Sequence, residues 1–306
     1  MDLLCDVVTV KRSGRPSSAR VAWHAPWGQR FPSVPGSAGF QVILQGSCWL
    51  IPPSGDPVAL GVGDVLFAPR GIGYGLADSP VRDLAEPYCD PTEDSDLFVS
   101  DFIGQDGPVT VTLCGGYRLA PGRAHPLLQD LPDLLHLPAR LGHHPELRAA
   151  VDLLGAEVER PHMGADTVVL ALLDTLLIYI LRAWFADLPA KPRPGWATAM
   201  ADPAISAALS ALHRDPARPW TVKTLADQAS LSRAAFSQRF AAMIGQPPLT
   251  YLTWWRLTLA ARMLRESDAP LSEVATQVGY GSEFSFANAF KREYGTAPGR
   301  YRRQAA

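Results

Sequence analysis

Cysteine is scarce in this sequence. Of 306 residues only Cys5, Cys48, Cys89 and Cys114 carry thiols, with no CxxC pair and no zinc-finger spacing. That argues against a disulfide scaffold and a cysteine-built metal centre, and leaves reduced thiols in a cytoplasm as the expectation. Charge of one sign is lacking too: 28 Lys and Arg stand against 30 Asp and Glu, a net of -2. The opening Met1-Asp2-Leu3-Leu4-Cys5-Asp6 has neither the basic start nor the apolar core of a secretory signal. The most apolar stretch, Val168–Ala186, is interrupted by Asp174 and Arg182, each costing about 2.5–3.5 kcal/mol near a bilayer centre. It reads as a buried or dimer-forming helix, not a membrane span. GxSxG, P-loop and HExxH patterns are absent. The expectation is therefore no catalytic residue, no metal, no cofactor and no enzyme activity.

What is present fits two globular modules. Apolar residues make up 47% and charged residues 19% of the chain, which excludes a disordered or fibrous class. The near-zero net charge hides a split. From Trp196 to Ala306 there are 13 Lys and Arg against 8 Asp and Glu, which leaves 15 against 22 in the residues before. A basic module suited to a polyanion follows an acidic module with another task.

Short apolar runs separated by Gly and Pro fill the first 120 or so residues. Phe40–Leu44, a Gln45-Gly46 turn and Cys48–Ile51 predict a hairpin closed by Pro52-Pro53. Val58–Leu60, Val65–Ala68 and Val109–Leu113 continue the strand pattern, pointing to a barrel or sandwich. After Pro138 the spacing turns helical, with Leu147, Val151, Leu154 and Val158, then Val169, Leu172, Leu173, Leu176, Leu177 and Ile180. The second of these helices is apolar around much of its circumference, so the β-domain or a second copy of the chain must cover it. Ala190-Lys191-Pro192-Arg193-Pro194-Gly195 reads as a linker. The division expected is 1–138 sheet domain, 139–189 helical pair for dimerisation, 190–198 linker and 199–306 helical domain.

That last domain contains a repeat. At an offset of 50, Ser232, Phe236, Phe240, Gly245, Pro248 and Tyr251 recur as Ser282, Phe286, Phe290, Gly295, Pro298 and Tyr301. Upstream, Leu225–Ala229 matches Val274–Val278 at an offset of 49, so a one-residue slip falls in the turn. Each unit predicts a short helix, a tight turn, a Ser N-cap and a second helix whose two Phe residues sit i, i+4 on the buried face. That is the layout of a helix-turn-helix whose second helix enters the major groove. Leu249–Arg265 predicts one long helix between the units, with Leu252, Leu259 and Met263 inward.

Trp220–Arg303 resembles the DNA-binding domain of AraC/XylS-family regulators. The likeness is densest in Ala275–Tyr280, Phe286–Arg292 and Gly295–Arg302. It implies base contacts from Ala234, Ser237 and Gln238 in the first recognition helix, and from Glu283, Phe284, Ser285 and Asn288 in the second. Arg233, Arg239, Lys291, Arg292, Arg300, Arg302 and Arg303 are suited to phosphates. The resemblance also implies a double-stranded DNA operator and RNA polymerase as a partner; activator is the expected role, with repression left open by the sequence, and the apolar helix Asp166–Ala186 points to a homodimer. Ala234 is short, Phe284 offers only apolar contact, and Glu283 suits a cytosine donor.

Trp27–Arg30, Leu44–Trp49, Gly63–Arg70 and Cys114–Tyr117 resemble the cupin-like sensor domain carried by one branch of that family. The expected fold is multidomain α+β: a cupin-like β-barrel with a helical dimerisation segment, then an all-α double helix-turn-helix domain. A metal-using cupin needs His and carboxylate ligands on facing strands. Tyr74 stands near where related domains place a histidine, while His24 and His125 are isolated and His143-His144 begins a helix. A metal-dependent cupin enzyme fused to a DNA-binding tail is thus the alternative to a regulator. Two kinds of signal are open: a small molecule in a pocket lined by Trp49, Phe67 and Tyr74, or an oxidant reacting at Cys114, which resembles a sensing position in some relatives. An inert buried thiol is the competing reading for Cys48 and Cys114.

Overall fold

The computed structural model describes residues 3–4, 6, 12–86, 98–104, 106–119, 125–188 and 195–305. Cys5, Cys89 and the linker residues 190–194 lie outside the described residues. The chain forms two compact units. One comprises Arg12–Leu119 and Leu131–Leu188; the other gathers Met1–Lys11, Ala120–Asp130 and Pro189–Ala306.

In the first unit the strands are β1 (Arg12–His24), β2 (Gly28–Phe31), β3 (Ser37–Gln45), β4 (Cys48–Ile51), β5 (Val58–Leu60), β6 (Val65–Ala68), β7 (Tyr74–Ala77), β8 (Phe98–Ile103), β9 (Val109–Leu119) and β10 (Leu135–Leu137). They build a six-stranded sheet in the order β10-β6-β3-β9-β1-β8 and a four-stranded sheet in the order β2-β7-β4-β5. Among the described strands β1 and β8 pair in parallel and the other strand pairs are antiparallel, with one isolated parallel bridge between Gln29 and Ala85. Among the described residues no pairing closes the two sheets into a barrel; they form a sandwich. Val21, Trp23, Ile43 and Leu66 from one sheet meet Cys48, Leu50, Leu60 and Leu76 from the other in a shared core. The period of two along each strand sends these side chains inward.

The expected hairpin across Gln45-Gly46 does not form, although both strands do. Both edges of β3 are taken, by β6 and by β9, so β4 crosses to the other sheet and pairs with β5 and β7. Gly46 turns this corner at a φ of 74°. A Cβ there would lie 2.6 Å from the Val109 carbonyl oxygen, so the close approach itself requires glycine. The Thr110 hydroxyl fastens the corner by donating to the Ser47 carbonyl at 2.9 Å.

Helix α1 (Pro126–Asp130) belongs to the second unit, whereas α2 (Pro145–Glu159) and α3 (Ala165–Ala186) complete the first. These two cover the outer face of the six-stranded sheet. The Tyr117 hydroxyl on β9 donates to the Leu173 carbonyl of α3 at 2.5 Å. Gly155 of α2 stands opposite Leu44 of β3. By length and composition α3 could cross a membrane, but Val169, Leu173, Leu176, Leu177 and Ile180 are buried within its own unit. The sheet thus covers one side of α3, while Val168 stays 41% exposed.

The second unit is helical: α4 (Trp196–Ala201), α5 (Pro203–Arg214), α6 (Val222–Gln228), α7 (Arg233–Ile244), α8 (Pro248–Glu266), α9 (Leu271–Gln277), α10 (Glu283–Tyr294) and α11 (Pro298–Ala305) join α1. Its centre is α8, which buries Tyr251, Leu252, Trp254, Trp255, Leu257, Ala260, Ala261 and Leu264. Leu259 and Met263, expected inward, are only partly buried against this core. Nineteen residues make α8 about 28 Å long at 1.5 Å per residue. One end of α8 carries the first helix-turn-helix and the other carries the second.

Candidate nucleic-acid interface

Local chemistry explains why each helix-turn-helix starts and stops where it does. Thr221 and Thr224 form a capping box at the head of α6. Ser232 accepts the Ala235 amide at 3.3 Å to start α7, and Ser282 accepts the Ser285 amide at 3.2 Å to start α10. Each cap satisfies an orphan donor at its helix N-terminus. Gly245 at φ 79° and Gly295 at φ 70° end the two recognition helices in left-handed caps. The turns differ in a revealing way. Their left-handed position is Ser230 at φ 53° in the first unit and Gly279 at φ 82° in the second. These two residues are 49 apart, whereas the N-caps are 50 apart, so the extra residue lies just after Gly279.

The recognition helices bury one face each. α7 turns Phe236, Phe240 and Ile244 into the core and leaves Arg233, Ala234 and Gln238 exposed, with Ser237 half-buried. α10 buries Phe286, Ala289 and Phe290 and leaves Glu283, Phe284, Ser285 and Asn288 exposed, Phe284 by 78%. The structure therefore groups the expected base-contacting residues on two outward faces. Ser285 already has a task there, because its hydroxyl donates to the Ser282 carbonyl at 2.9 Å and tightens the cap.

The expected phosphate ligands divide into two sets. Arg233, Lys291, Arg292, Arg300 and Arg303 are exposed. Arg239 instead pairs with Asp202, whose other carboxylate oxygen accepts the Ala204 and Ile205 amides as the N-cap of α5. Arg302 is half-buried and donates to the Ala269 carbonyl at 2.5 Å. These two guanidiniums hold helices together whatever else they contact.

Beneath α8 lies an aromatic cage that no sequence motif announces. The fully buried His125 ring packs 4.5 Å from Trp196 and 5.2 Å from Trp254, centroid to centroid. His213 stacks on Trp255 at 4.0 Å and its Nε2 lies 2.7 Å from the Tyr251 hydroxyl. Asp6 is buried beside His213. Burial is the main cause that lowers the His213 pKa, with Asp6 opposing it, and burial also raises Tyr251. The hydrophobic repeat could flag Tyr251; nothing local flags Asp6, His125 or His213.

The sensor candidates do not share one lining. Trp49 stands on the opposite face of β4 from the core residues Cys48 and Leu50, and Phe67 on the opposite face of β6 from Leu66. Tyr74 does face the inter-sheet core, stacked on Phe31 at 5.2 Å. Burial raises its pKa, and Gln41 and Cys114 lie near enough to act on its hydroxyl. Cys114 is half-buried, its thiol 3.5 Å from the Ala19 carbonyl. Cys48 is buried, and burial with the nearby Asp64 carboxylate pushes its thiol up to about 12, an inert setting. His24 contacts the Gly107 carbonyl at 3.2 Å, and His136 contacts Asp64 at 3.0 Å. They stand on β1 and β10, with β6, β3 and β9 between them. Neither meets the requirement for a metal held by His and carboxylate ligands on facing strands.

Known proteins match along both modules. A cupin family model matches residues 2–186 and a helix-turn-helix domain model matches residues 225–304. An AraC-like transcription regulator of Streptomyces lividans is 36% identical over 308 residues, covering 99% of this chain and 98% of that one. The chain belongs to the family of AraC-like transcription regulators. A second relative, the RCS-specific HTH-type transcriptional activator RclR of Escherichia coli K12, is 30% identical over 92% of this chain and 88% of its own length. Among solved structures, the DNA-binding domain of AdpA in complex with a target DNA is 34% identical over 34% of this chain and 92% of that one, with a TM-score of 0.32. The family's helix-turn-helix match spans α6 to α11, and its cupin match ends at the last residue of α3.

Proposed function

We propose that this regulator reads a double-stranded operator with α7 and α10 in two successive major grooves. The observation that supports it is the pair of outward faces on α7 and α10, each fixed by a Ser N-cap and a Gly C-cap and held on the common helix α8. Gln238 and Asn288 carry the amides suited to adenine, Glu283 suits a cytosine N4 donor, and Phe284 suits a thymine methyl. Ala234, Ser237 and Ser285 supply close packing and short contacts. Arg233, Lys291, Arg292, Arg300 and Arg303 take phosphates, with Arg239 and Arg302 contributing through the helices they brace. Cleavage footprinting on the bound operator tests this reading. Two protected major-groove segments about one helical turn, roughly 10 base pairs, apart are expected; a single protected segment contradicts it.

The working division we infer keeps 1–138 for sensing, 139–189 for homodimerisation through the uncovered side of α3, 190–198 as linker and 199–306 for DNA, with 1–11, 120–130 and the start of α4 at Trp196 packing in the helical unit. In this reading the protein acts in the cytoplasm without enzymatic activity, and activates transcription through RNA polymerase. The signal acts on the inter-sheet polar group of Gln41, Tyr74 and Cys114, where a small molecule would meet a phenol and an amide and an oxidant would meet a thiol. The relative named RCS-specific favours the oxidant. A Cys114→Ser protein with an undiminished oxidant response would remove that version.

A further inference from the structure

A different group of residues converges at one end of the α2–α3 helical pair. His143 and His144 precede α2, and Asp187 is the C-cap of α3, 43 residues later. The ligand atoms of these three side chains all lie within 4.8 Å of one another. His144 Nε2 stands 3.1 Å from Asp187 Oδ1. A non-glycine residue rarely adopts a positive φ, yet His144 holds 48°. A cavity of about 220 Å³ opens beside it, walled by His144, Glu146, Tyr179 and Arg182 among others.

We infer that His143, His144 and Asp187 form a site for a zinc-class divalent ion. Two imidazoles and one carboxylate are a ligand set that suits zinc and its late first-row neighbours. Around a tetrahedral ion with bonds of about 2.0–2.1 Å, ligand atoms stand roughly 3.4 Å apart. The His144–Asp187 pair stands at 3.1 Å, about 0.3 Å short of that separation, and the exposed His143, its ring edge-on to His144, brings a ligand atom within 4.8 Å of both. Water completes the set, because the three side chains whose ligand atoms converge supply only three positions. The ion would tie the first turn of α2 to the last turn of α3, two residues before the chain leaves the sheet-containing unit. The site is independent of the DNA-reading proposal.

Zinc titrated into the purified full-length protein against a chromophoric chelator tests it. One ion per chain is expected, with affinity lowered at least about tenfold in His143→Ala and in Asp187→Asn. His144→Asn is the matched change at the third ligand, because Asn tolerates the left-handed backbone that Ala does not. His162→Asn, outside the cluster, leaves the affinity unchanged. Zinc also raises the melting temperature of the wild type but not of Asp187→Asn, as binding to the folded state alone requires. No stoichiometric binding by the wild type, or equal affinity in all the ligand variants, overturns the assignment.

Discussion

Asp6 and His213 face each other inside the helical unit, carboxylate Oδ2 3.3 Å from imidazole Nδ1. The pair is almost sealed from water, and the far ring nitrogen contacts Tyr251. His213 therefore stays neutral in the folded protein below its ordinary value of 6.5, burial outweighing the attraction of Asp6. The unfolded chain takes up a proton there before the folded one does, so folding weakens as pH falls through and below about 6.5. Thermal melts from pH 7.5 to 5.0 are expected to show this loss. Asp6→Asn removes the influence that favours the imidazolium, so the loss should deepen at the acid end. A variant with the same pH profile as wild type would show that Asp6 does not act on His213.

Gly279 and Gly281 separate backbone need from mere flexibility. A Cβ on Gly279 would lie 2.7 Å from the Ala217 backbone, and its φ is 82°. A Cβ on Gly281 would meet nothing within 4 Å, at an ordinary φ. Gly279→Ala should cost about 2–3 kcal/mol, whereas Gly281→Ala should be neutral or slightly stabilising. Urea midpoints of the two variants check this; equal midpoints would contradict the turn geometry.

Arg233 and Arg239 sit six residues apart on α7 and should fail differently. Arg239→Ala breaks the pair with Asp202 and should lower the melting temperature even without DNA. Arg233→Ala should leave melting unchanged and reduce the salt slope of operator binding by about 0.9, as loss of one phosphate contact requires. Melting curves and salt titrations of both proteins distinguish the roles. The reverse pattern would exchange them.

What the sequence discloses follows the range of the interactions. The two helix-turn-helix units are legible because their caps, turns and i, i+4 Phe pairs are local and occur twice. The hairpin at Gly46 is misread because strand pairing is decided by β6 and β9, far along the chain, which occupy both edges of β3. The buried face of α3 is visible in its periodicity, but the Tyr117–Leu173 contact that covers it is not. Asp6, His125 and Asp187 give no local signal: each acquires its surroundings only when distant segments meet. Arg239 and Arg302 read as surface cations until Asp202 and the Ala269 carbonyl are placed beside them. Trp49, Phe67 and Tyr74 look alike in sequence, and only strand parity and sheet order separate Tyr74, which faces the core between the two sheets, from Phe67, which is buried on the other face of its sheet.

In the proposed complex both α7 and α10 read bases. Fluorescence anisotropy of full-length protein on its labelled operator, at one fixed salt concentration, tests it most directly. Gln238→Ala and Asn288→Ala should each weaken specific binding by about 5- to 150-fold, while non-specific affinity and helical content stay unchanged. If either variant binds the operator with undiminished affinity and specificity, the helix that carries it does not read the bases as described.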